Sequence, residues 1–264
     1  MTLRLAHLSD IHFGCEHVQA LAAARDWIEN RRPDLAVITG DLTRAGAATE
    51  FAAARDWIAD LPVDSLVAPG NHDVPYYSLF WRLAAPWRRW RRHFPWSPRT
   101  PVRRPGLAIA QVNTARGAQA RANWSKGAIS RRQVARAVDA LAAAEPGDLR
   151  IVACHHPLIE MVGAAVSGRV HGGRRAAAAF TAARVDLVMT GHVHVPFALP
   201  WPGGDGRTWA VGAGTLSVRE RGAPAGFNCL EIEPDRVCVT ALGWTGSRLE
   251  PWRTWAIDRR PAPS

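Results

Sequence analysis

Five short polar blocks carry the residue types that bind divalent metals: Asp10-Ile11-His12, Gly40-Asp41, Gly70-Asn71-His72-Asp73, His155-His156-Pro157 and Gly191-His192-Val193-His194. Carboxylate, imidazole and amide oxygen suit hard-to-borderline ions such as Mn, Fe, Zn or Co, and no thiolate joins the set to select a soft ion. A lone Asp-x-His is more often a surface turn than a ligand pair. Five blocks in one chain are harder to assign to packing. Burying that many imidazoles and carboxylates with no cation among them would be costly.

The elements that must hold these blocks can be read around them. Residues 3–9, 35–39 and 66–68 are short apolar runs separated by helical patterns at 18–31 and 49–59, which is the βαβαβ grammar of a parallel, doubly covered sheet. Strand-like runs follow at 107–112, 150–154 and 186–189, with helices between them at 131–144 and 174–184. Beyond that point residues 209–213, 227–232, 236–242 and 252–257 alternate as antiparallel strands with Gly/Pro turns. An α/β fold of two packed sheets with helices outside is predicted. Each polar block then closes a strand, where open α/β sheets place their ligands. The heptapeptide Ala-Ala-Ala-Arg-Asp-Trp-Ile occurs at 22–28 and again at 52–58. Two copies are too few for a solenoid and fit two successive crossover helices on one sheet.

A chain of 264 residues is long enough for one large domain, expected over residues 1–258 with a tail at 259–264. Four scattered cysteines form no CxxC pair, so free thiols are expected. No run reaches the roughly 18 apolar residues of a spanning helix, and the N-terminus lacks the pattern of a signal peptide. The cytoplasm is the default address. The net charge of +10 is unevenly placed: residues 74–138 hold thirteen Arg, one Lys and no Asp or Glu.

The block order D-x-H, G-D, G-N-H-D, H-x-P, G-H-x-H resembles that of the calcineurin-like metallophosphoesterases. The early Asp-x-His and the Gly-Asn-His-Asp-Val-Pro stretch are similar to the bacterial branch related to class III cyclic-nucleotide phosphodiesterases. The resemblance implies a two-sheet αβ-βα sandwich and two metal ions. Asp10, His12 and His194 would hold the first, Asn71, His155 and His192 the second, with Asp41 bridging. His72 would protonate the leaving oxygen, and Asp73 would orient it by accepting a hydrogen bond from its imidazole. Two ions roughly 3.5–4 Å apart would make a bridging hydroxide available as nucleophile near neutral pH. Hydrolysis of an anionic phosphodiester is the activity implied first. Phosphomonoesters or lipid-linked pyrophosphates at a membrane surface are the alternatives. A non-enzymatic metal-binding module would predict a substituted ligand, and none is substituted.

Substrate choice is expected to depend on the Trp- and Arg-rich insertion at residues 74–105. Three readings compete for it. Arg88, Arg89, Arg91 and Arg92 could attract phosphate as part of a cap. Residues 76–104 could instead rest on anionic lipid at the inner membrane face. The tryptophans could also cover core or a homodimer contact. His156 is either a substrate-side residue or a packed histidine. A nucleic acid polymer is not expected, because nucleases with these blocks carry further domains.

Overall fold

The computed structural model describes residues 2–97, 101–120, 123–159, 170–201 and 204–260. Its first sheet grows from β1 (Leu3–Leu8), which is paired on both sides. Parallel neighbours β2 (Leu35–Ile38) and β3 (Ser65–Val67) continue one way. The second sheet contains β4 (Val102–Arg104), β5 (Leu107–Gln111), β6 (Leu149–Ala153), β7 (Leu187–Thr190), β8 (Phe197–Pro200) and β9 (Trp209–Gly212), in the order β4-β5-β6-β7-β9-β8. On the other side of β1, antiparallel β10 (Gly226–Ile232), β11 (Arg236–Trp244) and β12 (Leu249–Asp258) complete the first sheet.

Side chains along β1 and β2 face alternate sides, and both sides are buried because each strand separates two apolar layers. Leu5, Leu35 and Val37 point between the sheets, against Ile109, Ile151 and Met189 of the second sheet. Ala6, Leu8, Ala36 and Ile38 point outward, against helices α1 (Val18–Arg31) and α2 (Ala48–Ala59). Helices α5 (Arg131–Ala142) and α6 (Gly173–Ala182) cover the outer face of the second sheet through Val134, Leu141 and Phe180. The result is the αβ-βα sandwich that the motif order implies.

The repeated heptapeptide has the use expected of it. Trp27 of α1 meets Phe227 of the first sheet at 5.2 Å, and Trp57 of α2 meets Phe13, in the loop after β1, at 6.3 Å. Helix α1 starts where the His17 ring accepts from the Ala20 amide, and it ends at Arg32, whose left-handed backbone returns its N–H to Ile28 O.

The placement of the later strands needs correction. The strand at 209–212 runs parallel to β7 rather than antiparallel, with β8, which the sequence pattern did not show, folded back on it. The three strands from Gly226 onward are antiparallel and extend the first sheet, apart from β9 in the second. Alternating burial says that a strand has two faces but not which strand lies beside it. The start of the C-terminal tail is hydrogen-bonded to the sandwich. Arg260 donates to Asp186 and Asp205, and Arg259 to the carbonyls of Glu233 and Gly147. Residues 261–264 lie outside the described ones.

Part of the insertion is docked. Its two helices, α3 (Leu79–Ala84) and α4 (Arg88–His93), lead to β4, which joins the second sheet as an edge strand. Trp90 and Phe94 are buried against Phe51 of α2, with ring centroids 6.4 and 6.3 Å away. Among the described residues no helix is long and apolar enough to cross a bilayer. Trp90→Ala should cost roughly 3–5 kcal/mol of unfolding free energy, read from urea denaturation. A loss below about 1 kcal/mol, the range of surface substitutions, would show that α4 is not part of the core.

Candidate metal centre

The polar blocks meet at the carboxyl ends of β1, β2, β3, β6 and β7, on one edge of the sandwich. Their backbone is unusual. Asp10, His12, Asp41, His192 and His194 all take left-handed φ values between 52° and 70°. For a residue other than glycine this costs roughly 1–2 kcal/mol each, and such strain gathers at functional sites. Among the described residues the other two non-glycine residues of this kind, Arg32 and Arg184, follow helices. Glycines in the blocks allow the loops to touch. A Cβ on Gly70 would collide with the Asp41 backbone, and one on Gly191 with Ser9 and the Asp10 carboxylate.

Asp10 Oδ1 is 3.1 Å from His194 Nε2 and 3.8 Å from His12 Nε2. The two imidazole Nε2 atoms are 3.3 Å apart. Asp41 Oδ2 lies 3.8 Å from His12 Nε2 on one side and 3.3 Å from His155 Nε2 on the other. Asn71 Oδ1 is 3.2 Å from His155 Nε2, and the His192 ring is 5.2 Å from that of His155. Asp10, His12 and His194 form one group with metal-ligand spacing, while Asp41 is grouped with His12 and again with His155.

Ring orientation is set from outside the cluster. The Nδ1–H groups of His12, His155 and His194 donate to the carbonyls of Thr43 at 3.2 Å, Thr39 at 2.7 Å and Arg219 at 2.8 Å. This fixes the tautomer and turns the Nε2 lone pairs inward, as carbonyl partners do for metal-binding histidines. His192 Nε2 and Asp10 Oδ1 are buried with no hydrogen-bond partner. A divalent cation among these donors would satisfy them, so the residues present fit a metal centre.

The electrostatics of the protein alone agree. Burial pushes His12 down to about 4 and His192 to about 3. Burial would lower His155 as well, but Asp41 and Asp10 raise it to about 9. Burial would raise both carboxyls, yet His194 and His155 hold Asp10, and His155 and His72 hold Asp41, below the ordinary carboxylate range. Two buried anions are drawing positive charge into the space between them.

His72 is half-buried beside His12, the ring centroids 4.9 Å apart. Its Nδ1–H donates to Arg44 O at 2.7 Å, not to Asp73. The expected Asp73–imidazole bond is absent because that carboxylate is used by the loop: Oδ1 accepts from Thr43 N and Oγ1, and Oδ2 from Gly70 N. Burial, reinforced by Asp41, pushes Asp73 up to about 7 against those donors. Asp73 therefore braces the Thr43–Arg44 loop and makes no bond to the imidazole itself.

His156 is buried and lies within metal-ligand spacing of His155 and His192. Its Nδ1 lies 2.8 Å from Thr114 Oγ1 and its Nε2 2.8 Å from Ser125 O, so both ring nitrogens are occupied. Beside His72 opens a cleft of about 410 Å³ lined by Cys15, Arg44, Tyr76, Tyr77 and Arg219. None of Arg88, Arg89, Arg91 and Arg92 lines it. Arg89 donates to Gly46 O, Arg88 stacks on Trp81 at 4.8 Å, and Arg91 borders a separate hollow near Gln111. The arginines that do reach the site were missed. Arg219 Nη1 is 3.4 Å from His72 Nε2, and Arg221 Nη1 is 3.4 Å from His192 O. Both lie in the loop between β9 and β10, past the last polar block, where nothing in the pattern marks them.

A sandwich of two sheets with imidazoles and carboxylates gathered at one edge defines a metallophosphoesterase scaffold. The family profile described as calcineurin-like phosphoesterase matches residues 3–196, and the chain belongs to that family. Among solved structures it is similar to a dimetal phosphatase from Danio rerio, with 11% identity and a TM-score of 0.70 over 98% of this chain and 99% of that one. It is similar also to a purple acid phosphatase from yellow lupin, with 13% identity and a TM-score of 0.72 over 98% of this chain and 54% of that one. A probable cyclic nucleotide phosphodiesterase of Synechococcus sp. is 29% identical over a stretch covering 28% of this chain and 33% of that protein. The match spans about one third of that relative's length.

A centre of this kind should stabilise the fold when filled. Mn²⁺ at about 100 times its dissociation constant should add about 2.7 kcal/mol to the unfolding free energy, visible as a rise in Tm. Asp41→Asn should remove most of that rise. An unchanged Tm with each of Mn²⁺, Fe²⁺, Zn²⁺ and Co²⁺ would refute metal binding here.

Proposed function

We propose that this chain hydrolyses phosphodiesters using two divalent metal ions. The observation that carries the proposal is the position of Asp41, whose Oδ2 faces His12 on one side and His155 on the other. A carboxylate shared in this way suits a bridging ligand. Asp10, His12 and His194 would then hold one ion, and Asn71, His155 and His192 the other. Bound there, the ions would supply an acidified water and neutralise phosphate charge.

The rest falls to side chains. With its Nδ1–H anchored on Arg44 O, His72 has only Nε2 left to give a proton to a departing oxygen. Arg219 stands next to that nitrogen and has no carboxylate partner among the described residues, leaving its charge for an anionic substrate. Tyr76 and Tyr77 form an aromatic wall on the cleft, which suits the second ester group of a diester. The name of the Synechococcus relative favours a diester as well. Phosphomonoesters and lipid-linked pyrophosphates are the substrates to set against it.

The test is turnover of bis(p-nitrophenyl) phosphate by the Mn²⁺-loaded protein, beside p-nitrophenyl phosphate, cyclic nucleotides and a lipid diphosphate. A higher kcat/KM on the diesters is expected. Inactivity with every divalent metal would defeat the enzyme reading, and a preference for the monoester would defeat the diester reading. His72→Ala should lose roughly 10²–10⁴ in rate on alkyl esters, much less on nitrophenyl esters, and keep its metal-dependent Tm. Arg91→Gln and Arg92→Gln, which lie away from the cleft, should leave kcat/KM on the soluble diester unchanged. A marked rise in KM would restore the arginine cap.

A further inference from the structure

Helix α3 is turned inside out. Its buried residue is Arg82, at 8% exposure, whereas Leu79, Phe80, Trp81 and Leu83 are 59%, 68%, 40% and 57% exposed. Tyr76 and Tyr77, just before it, are 55% and 81% exposed. A water-facing helix does the reverse, hiding its apolar side chains and hydrating its charges. Six large apolar side chains thus face outward within eight residues, and contiguous patches of this kind mark interaction surfaces.

The inversion is built into the fold. Arg82 Nε donates to Gly117 O at 2.7 Å, and its guanidinium lies over the rings of Tyr76 at 5.7 Å and Trp124 at 5.4 Å. Gly117 sits so close to the Arg82 carbonyl and the Pro86 ring that no side chain would fit there. These contacts fix one face of α3 inward and leave the other no choice.

Charge identifies the partner. Arg88 stacks on Trp81, and Arg92 shares a groove with Trp81 and Pro75, so guanidiniums rim the apolar face. The segment 74–138 offers no carboxylate to offset them. A second copy docking here would set like charges against like. An anionic bilayer accepts all three elements: aliphatic side chains below the headgroups, aromatic rings at their level and guanidiniums on phosphate. We propose that residues 76–83, with Arg88 and Arg92, dock on an anionic phospholipid surface. Tyr76 and Tyr77 belong to this face and to the His72 cleft alike, so docking brings the cleft mouth to the lipid.

Sedimentation of the full chain with vesicles tests this. Equimolar phosphatidylcholine and phosphatidylglycerol should bind it at least about tenfold more tightly than phosphatidylcholine alone, given two interfacial arginines. Added salt should weaken the binding. The triple variant Leu79→Ser, Phe80→Ser, Leu83→Ser should lose the binding while keeping its Tm and its turnover of a soluble diester. The proposal is overturned if the wild type ignores anionic vesicles, or if the triple variant binds them equally well. It is also overturned if sedimentation equilibrium finds a dimer that the variant dissociates, since the face would then belong to a second copy.

Discussion

One loop sets the site. The turn after β2 carries Asp41, and its backbone carbonyls at Thr39, Thr43 and Arg44 each take the Nδ1–H of a histidine from a different block: His155, His12 and His72. The same few residues therefore supply the shared carboxylate and aim three imidazoles at the space around it. Asp73 holds the loop through Thr43 and Gly70. Replacing hydration of these polar groups with fixed backbone partners is what makes their burial tolerable. The left-handed turns at Asp10, His12, Asp41, His192 and His194 then follow from the need to present side chains and carbonyls in the same few ångströms.

Much of this could be read from residue types. The strands that end in the polar blocks, the helices between them and the gathering of seven expected ligands at one edge are local in origin: an apolar run, a turn and a polar side chain. Placement between distant segments was not legible. Nothing in residues 209–257 says that β9 runs parallel to β7 or that β10 seeks β1. Asp73 failed as a partner of His72 for a similar reason. Adjacency in sequence suggested the bond, and the backbone of another loop, 30 residues away, claimed the carboxylate.

The insertion shows how much composition leaves open when geometry is unknown. Its run of arginines beside tryptophans is compatible with a phosphate cap, a lipid-facing surface, or a cover for core or a dimer contact. The structure uses Trp90 and Phe94 as anchors on Phe51, and α4 turns its guanidiniums away from the cleft. The cations that stand beside His72 and His192, Arg219 and Arg221, lie in a loop of ordinary composition. A run of charge is conspicuous in sequence. A single arginine placed by a crossover between two sheets is not.

That crossover divides its labour within one residue. At position 219 the backbone carbonyl holds His194, while the side chain faces His72 and the open cleft. A carbonyl is supplied by any amino acid, so the metal-facing duty does not depend on which residue stands there. The side chain is another matter, since its reach into the cleft depends on arginine standing there. Under the proposed function, substitution at this position would change the surface offered to substrate while the carbonyl that aims His194 stayed in place.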